Sequence, residues 1–351
     1  MRTIRNLLLL SLAIFAIYSI MNANDEERTQ TFEKAEKVLT GGKTEKESHT
    51  EAAQIPVDGD LYKWIGEKQS ELVKHYGEPV RKDSSAYGYE WLVYKEGLKK
   101  YIQFGVEDGK VKTLFAIGAG ISTEPVQSGD TYDKVNSKMN FSKEVSYQKG
   151  VSAYTFKLKD KDMKMWPLKK LNDNLFAQYY FDTFTKKLSA VRLMDAEVLL
   201  KQRPYEVEYR GSLPERPELS ANDWERAETG MEQQILDITN VMRSQHGKKI
   251  LKPDPKTAEV AYLHSKDMAE NSYFSHYGLD GTGLKERLAE KKLTYVAAGE
   301  NIAAQYPDAA AAMEGWLNSK GHREALLHNE YTHLGAGVYQ FYYTQNFLKK
   351  P

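Results

Sequence analysis

The feature that most narrows the fold is the absence of cysteine from all 351 residues. No disulfide, thiolate nucleophile, zinc finger or iron–sulfur cluster can be built from this chain, and any metal has to sit on His, Asp or Glu. Stability must therefore come from packed apolar cores. Hydrophobic residues make up 41% of the chain, enough for such cores, and the length suggests two folded domains plus tails. Lys+Arg and Asp+Glu both total 49, so the formal net charge is zero. That balance argues against a nucleic-acid partner gripped through bulk positive charge.

Arg2 and Arg5 precede an apolar run from Leu7 to Met21, and the polar stretch Asn22 to Arg28 follows. A basic head, an apolar run and a polar exit form the layout of a secretory signal. The run is a little short for a spanning helix, which needs about 17–25 residues. Residues 1–21 are thus expected to be a signal peptide or a membrane anchor. Either way, the charge bias places the body of the chain outside the cytoplasm, with membrane contact through this segment alone. Residues 22–57 are rich in Glu, Lys and Thr and read as a charged tether, with a short helix near Thr31–Leu39. Export without cysteine points to a bacterial cell envelope.

Residues 58–203 read as one β-rich region in two halves. An amphipathic helix is expected over Leu61–Tyr76, followed by strands over Tyr87–Tyr94, Lys100–Val106 and Lys110–Ile117. Asp108-Gly109 between the last two is a hairpin signal. The second half repeats the plan, with a helix over Tyr132–Met139 and strands over Ser152–Leu158, Leu175–Asp182 and Lys187–Met194. The segment FGVEDGKVKTLF in the first half resembles FDTFTKKLSAVRL in the second. The chain's 23 tyrosines allow either an exposed aromatic sheet face or ordinary core strands, and the second is favoured. His75 is the lone histidine here, and no chemistry is evident.

Pro204, Gly211, Pro214 and Pro217 mark a linker over 204–222. Residues 223–351 then read as a helical domain with late strands. Helices are expected over Asp223–His246, Pro255–Asn271, Leu284–Lys291 and Asp308–Leu317, followed by a short helix and strands over Gly335–Gln340 and Tyr342–Phe347.

This last region carries a motif series: Asn240 and Arg243 as N-x-x-R, His264 to Met268 as H-S-x-D-M, then Y-F-S-H, G-E-N-I-A, W-x-x-S-x-G-H-R, G-A-G-V and Y-Y-T-Q-N-F. Over about residues 230–350 it resembles the CAP superfamily, the SCP-like family of cysteine-rich secretory, antigen and pathogenesis-related proteins, in its disulfide-free bacterial branch. The export signal, tether and duplicated region resemble a Bacillus-type arrangement with a CAP-associated N-terminal domain. The resemblance implies an α+β chain: a C-terminal α-β-α sandwich preceded by a duplicated β-rich α+β domain. It also implies a cleft with two His and two acidic residues that binds a divalent metal in some members. Matched here, these are His276, Glu300 and His322, while Ser319 stands where the second acid would be. Glu314 lies nearby in sequence but points elsewhere on its helix.

From the residues alone, His276, Glu300 and His322 lie 24 and 22 positions apart, so no short ligand motif joins them. Each is expected at an element boundary. Three readings stand side by side. Glu300 orients two imidazoles and braces the cleft. The three side chains hold a divalent metal such as zinc. Or Glu300 acts as a general base in a metal-dependent hydrolase acting on peptide or cell-wall material, which the missing second acid disfavours. His264 reads as a helix-packing residue, His328 and His333 as surface residues, and Arg323 as an ion pair or helix cap. The favoured function is an exported envelope protein, secreted or tethered to the membrane, whose cleft of His276, Glu300, Ser319 and His322 binds a lipid, glycan or protein. A metal-dependent hydrolase and a structural interaction protein are the alternatives.

Overall fold

Strand alternation and two tight turns organise the N-terminal half of the computed structural model, which describes residues 61–351. The segments expected over 1–21 and 22–57 lie outside the described residues. A 3-10 turn at Leu61–Trp64 precedes α1 (Gln69–Tyr76). A single helix from Leu61 to Tyr76 was expected; it is broken at Gly66, whose φ of +94° leaves the helical region and whose N–H donates to Val111 O at 2.8 Å. Then come β1 (Arg81–Ser84), β2 (Glu90–Glu96), β3 (Lys100–Glu107), β4 (Lys110–Gly118), β5 (Ser122–Thr123), β6 (Val126–Gln127) and α2 (Tyr132–Met139). The second half holds β7 (Glu144–Lys149), β8 (Ser152–Lys157), α3 (Asp160–Met165), β9 (Leu168–Lys170), β10 (Leu175–Asp182), β11 (Lys187–Asp195), α4 (Ala196–Gln202) and β12 (Glu206–Arg210).

The large sheet runs β1-β2-β3-β4-β11-β10-β9. Its centre shows the repeat directly. The hairpins β3–β4 and β10–β11 carry the two similar segments, and β4 pairs antiparallel with β11. Each hairpin has one register shift, at Gly105/Val106 and at Tyr180/Phe181. Asp108 and Gly109 both have positive φ, as a two-residue hairpin turn matched to strand twist requires. Outside these hairpins the halves differ in sheet membership: β2 lies in the large sheet, whereas β8 joins β7 and β12 in a separate three-stranded sheet.

Strand β12 also corrects the linker expected over 204–222. Its Val207 lies opposite Phe156 and the preceding Tyr205 is buried, so the chain stays attached to the first domain as far as Arg210. EVEYR alternates polar and apolar residues, but it is a mostly exposed edge strand, and the flanking Pro204, Gly211 and Pro214 dominate the reading of this stretch as a linker. Many tyrosines of this half, among them Tyr87, Tyr101, Tyr179 and Tyr180, are buried in the core.

In the second half, Ser220 accepts from Asp223 N while Asp223 accepts from Ser220 N, a capping box that starts α5 (Ala221–Gln245). There follow β13 (Lys252–Pro253), α6 (Pro255–Glu270), α7 (Leu284–Glu290), β14 (Ala297–Ala304), α8 (Ala309–Leu317), α9 (Lys320–Leu326), β15 (His333–Tyr339) and β16 (Tyr342–Lys349). The sheet order is β13-β15-β16-β14. Helix α6 lies along β15 and β16, and α5 and α8 also pack on this sheet, which makes the expected α-β-α sandwich. The G-A-G-V motif has a steric reason. A Cβ on Gly335 or Gly337 would fall on the backbone of α6 at Thr257–Ala258 or Ala261–Tyr262, so only glycine lets helix and strand approach this closely.

The two domains share one core. Val93, Tyr101 and Phe115 of the first sheet cluster with Met231, Ile235 and Ile238 of α5. Around that contact, Arg81 Nη1 and Lys95 Nζ donate to Asp237 at 2.9 and 2.8 Å. Arg192 Nη2 donates to Asp308 Oδ1 at 2.7 Å, and both side chains are buried. Among the described residues no helix is long and apolar enough to cross a membrane.

Candidate functional site

The G-E-N-I-A motif forms the middle of β14, the edge strand of the second sheet. Glu300 therefore sits within a strand, and His322 within the first turn of α9, rather than at the element boundaries expected for them. Small residues fill β14 because its surroundings are close. A Cβ on Gly299 would strike the Tyr331 ring. Successive side chains of a strand leave opposite faces, so Glu300 and Asn301 serve different neighbours.

The Glu300 side chain is only 4% exposed, and both its oxygens are engaged. Oε1 lies 2.9 Å from His276 Nδ1, and Oε2 accepts from Arg287 Nη2 at 2.6 Å. A carboxylate accepts and cannot donate, so His276 carries its proton on Nδ1. That leaves Nε2 of the half-exposed ring as an acceptor. Arg287 Nη1 also donates to His276 O at 3.2 Å and fixes the loop that carries the histidine.

His264, read from sequence as a packing residue, is buried beside this pair, with Nε2 at 4.0 Å from Glu300 Oε1. Nε2 donates to Ser275 O at 3.0 Å, which leaves Nδ1 as an acceptor without a partner among the described residues. Burial lowers the His264 pKa more than the Glu300 charge raises it, so the ring stays neutral. His322 is half-buried on the facing helix. Burial lowers its pKa first, and the nearness of the second imidazole, His276, lowers it further. Asn301 Nδ2 donates to His322 O at 3.1 Å and to Gln345 Oε1, which fixes the start of α9 against β14. Ser319 is the residue before α9, and its hydroxyl makes no cap bond to the helix.

The structure thus joins His276 and Glu300 directly and sets His322 and Ser319 on the adjoining helix start. Among the described residues, no group of three His, Asp or Glu side chains is placed to hold a metal. The Arg287 guanidinium already occupies the position on Glu300 Oε2 that a metal would need. In this arrangement the residues present do not fit a resident divalent cation. Glu314 faces away from the cleft, as its helical position implies. It is buried against the first domain, where Ser189 Oγ donates to Oε1 at 3.0 Å, and burial pushes its pKa up to about 8. His328 and His333 remain near the surface, bonded locally to Glu330 N and Thr332 Oγ1.

Two cleft supports escaped the sequence. Arg287 carries no local signal, because its acid lies 13 residues away on another element. The other support belongs to the first domain. Arg323, next to His322, makes a paired ion contact with Asp182 at the end of β10, both bonds at 2.9 Å. His246 Nε2 completes the group at 3.4 Å from Asp182. Burial raises the Asp182 pKa, but the bonds from His246 and Arg323 prevail and hold it well below the usual carboxylate range. Asn318 accepts from Thr183 N at 2.7 Å and donates to Phe181 O at 2.9 Å. The turn after β10 therefore grips the helical corner that presents Ser319 and His322.

Comparison with known proteins agrees with this architecture. The CAP-associated N-terminal family matches residues 65–205, and the cysteine-rich secretory protein family matches residues 236–348. The chain is 45% identical over 296 residues to YlbC of Bacillus subtilis, an uncharacterized membrane protein, covering 84% of this chain and 85% of the relative. It resembles the solved structure of an extracellular SCP-domain protein of Bacillus anthracis with a TM-score of 0.79 and 41% identity, over 88% of this chain and 99% of that one. A cysteine-rich secretory protein of Staphylococcus aureus matches with a TM-score of 0.73 and 25% identity, over 83% and 95%. The chain belongs to the cysteine-rich secretory protein family, in the form that carries a CAP-associated N-terminal domain ahead of the CAP domain.

Proposed function

We propose that this chain is an exported envelope protein, held at the membrane or released by its N-terminal segment, whose CAP domain is a binding module. The observation that carries this reading is the state of Glu300. A general base needs a free oxygen within reach of a substrate proton. Here one oxygen is bonded to Arg287 and the other to His276, inside a nearly closed environment. The side chain is built to hold the histidine in place. The groups offered to a ligand are His276 Nε2, the neutral His322 ring and the Ser319 hydroxyl, a small polar set suited to a glycan, a lipid headgroup or a peptide. The membrane and extracellular labels of two similar proteins support the location.

The test follows the imidazole signals of His276 and His322 by NMR while the full chain is titrated with peptidoglycan fragments, phosphatidylglycerol vesicles or zinc. Chromatography of the same samples follows cleavage. Binding predicts shifts at these rings with one of the first two probes and no product. Metal-dependent product formation that disappears in both His276→Ala and His322→Ala would overturn the proposal in favour of a hydrolase.

A further inference from the structure

A second cavity, of about 290 Å³, opens at the seam between the two domains and shares no residue with the His276 cleft. The first domain contributes Lys161, Trp166, Gln178, Tyr180 and Arg203. The CAP domain contributes the turn after β14, with Gln305 and Tyr306. Glu300 stands four residues before Ala304 on β14, so the cavity begins about 13 Å along the strand from the cleft. Domain seams are where small-ligand pockets commonly form, and this volume is at the lower end of their range. It equals about ten water volumes, room for one sugar ring and little more.

Its chemistry is one-sided. Lys161 and Arg203 line it and no carboxylate does; the Arg203 guanidinium is already anchored, with Nε donating to Leu200 O and Nη2 to Pro214 O, so Lys161 is the cation left to a ligand. The acids bonded to or beside its walls already have partners. Asp162 accepts from Lys159 N and from Trp166 Nε1, and Asp308 caps α8 and pairs with Arg192. Lys161 Nζ stands 5.6 Å from the centre of the Trp166 ring, so the cation and the aromatic face are presented together. The floor is the Gln178 amide, 3% exposed and fixed between Tyr205 and Tyr180. Two lining residues, Arg203 and Gln305, hold the left-handed backbone region without being glycine, with φ of 50° and 63°. At Arg203 this is the left-handed cap that ends α4, with its N–H on Leu199 O.

We infer that this seam cavity binds a single anionic sugar unit, one that carries a carboxylate or a phosphate. The anion meets Lys161, as charge-assisted hydrogen bonding favours, and Arg203, held by Leu200 O and Pro214 O, adds positive charge to the wall. The apolar face of the ring lies on Trp166, Tyr180 or Tyr306, and the ring hydroxyls meet the Gln178 and Gln305 amides. Because both domains supply walls, occupancy also reinforces their packing.

Calorimetry on the full chain tests this with glucuronate, glucose 1-phosphate and uncharged glucose, together with quenching of tryptophan fluorescence. Lys161 is exposed on α3 and makes no hydrogen bond that holds the fold, so Lys161→Met should fold normally, with an unchanged melting temperature as the check. The expected result is binding of one or both anionic sugars at least about tenfold tighter than glucose, and about tenfold weaker in Lys161→Met. A preference for glucuronate assigns the carboxylate source, and a preference for glucose 1-phosphate the phosphate source. No binding of either anion below about 10 mM, or equal affinity in Lys161→Met, overturns the assignment. The cleft reading is untouched by either result.

Discussion

Glu314 shows how a side chain's neighbours, and not its position in a motif, set its role. It is fully buried, and its Oε2 has no partner among the described residues. With a folded pKa of about 8, raised above the ordinary glutamate value, the folded state binds a proton that the unfolded chain releases at lower pH. The resulting stability is complete below the ordinary value and is lost as pH rises towards about 8. The effect is on the order of a few kcal/mol. Glu314→Gln is expected to keep the Ser189 contact and remove this dependence. Urea unfolding of both proteins at about pH 5 and about pH 8 checks it, and parallel pH curves would refute it. The comparison isolates Glu314 from His264 and His322, whose lowered pKa values act in the opposite sense. In the cleft, Arg287→Met leaves a nearly buried Glu300 oxygen unpaired, with an expected loss of about 3–5 kcal/mol in urea unfolding. If Arg287 is what excludes a cation, this variant should bind zinc at least about tenfold more tightly than the native chain by calorimetry.

Among the elements, β15 and the β3–β4 hairpin carry the strictest backbone demands. A methyl group at Gly337 has nowhere to go except into the Tyr262 backbone of α6. Gly337→Ala is expected to cost about 3 kcal/mol or more, because neither the helix nor the strand can yield cheaply. At Gly109 no atom crowds the position, and only the φ of +71° resists a side chain. Gly109→Ala should then cost about 1–2 kcal/mol. Chemical denaturation of the pair separates close approach from backbone conformation, and equal losses would contradict that division. The turn residues of β3–β4 were legible in sequence because their chemistry is local. Strand β14 was not, since a run of small residues carries neither period 2 nor period 3.6. Its identity as a strand comes from β16, with which it pairs along its whole length.

At the level of the whole molecule, the buried cluster that joins Val93 and Phe115 to Ile235 and Ile238 makes the two domains one cooperative body. Calorimetry of the full chain is expected to show a single unfolding transition for residues 61–351, and two resolved transitions would count against the shared core. The Arg192–Asp308 pair crosses the same boundary, with the Arg192 side chain completely buried. Asp308→Ala leaves that guanidinium without its charge partner and also removes the α8 cap, so a loss of about 3–5 kcal/mol is expected in urea unfolding. The same docking reaches the cleft through Asp182 and Arg323, so the first domain sets the position of the helix that carries His322.

Legible before any folding were the features that depend on near neighbours or on an order of motifs read as a family resemblance. These are the apolar segments of the long helices, the central hairpins and the family of the last 130 or so residues, from which His276, Glu300, Ser319 and His322 were expected to share a cleft. Only the tertiary structure decided that Arg287 takes one oxygen of Glu300, that His264 stands beside it and that Asp182 secures Arg323. It also moved β12 out of the linker and built the seam cavity from two domains. The physical reason is range. Periodicity, caps and turns act over a few residues, whereas an ion pair or a cavity wall joins positions whose distance along the chain carries no information about their distance in space.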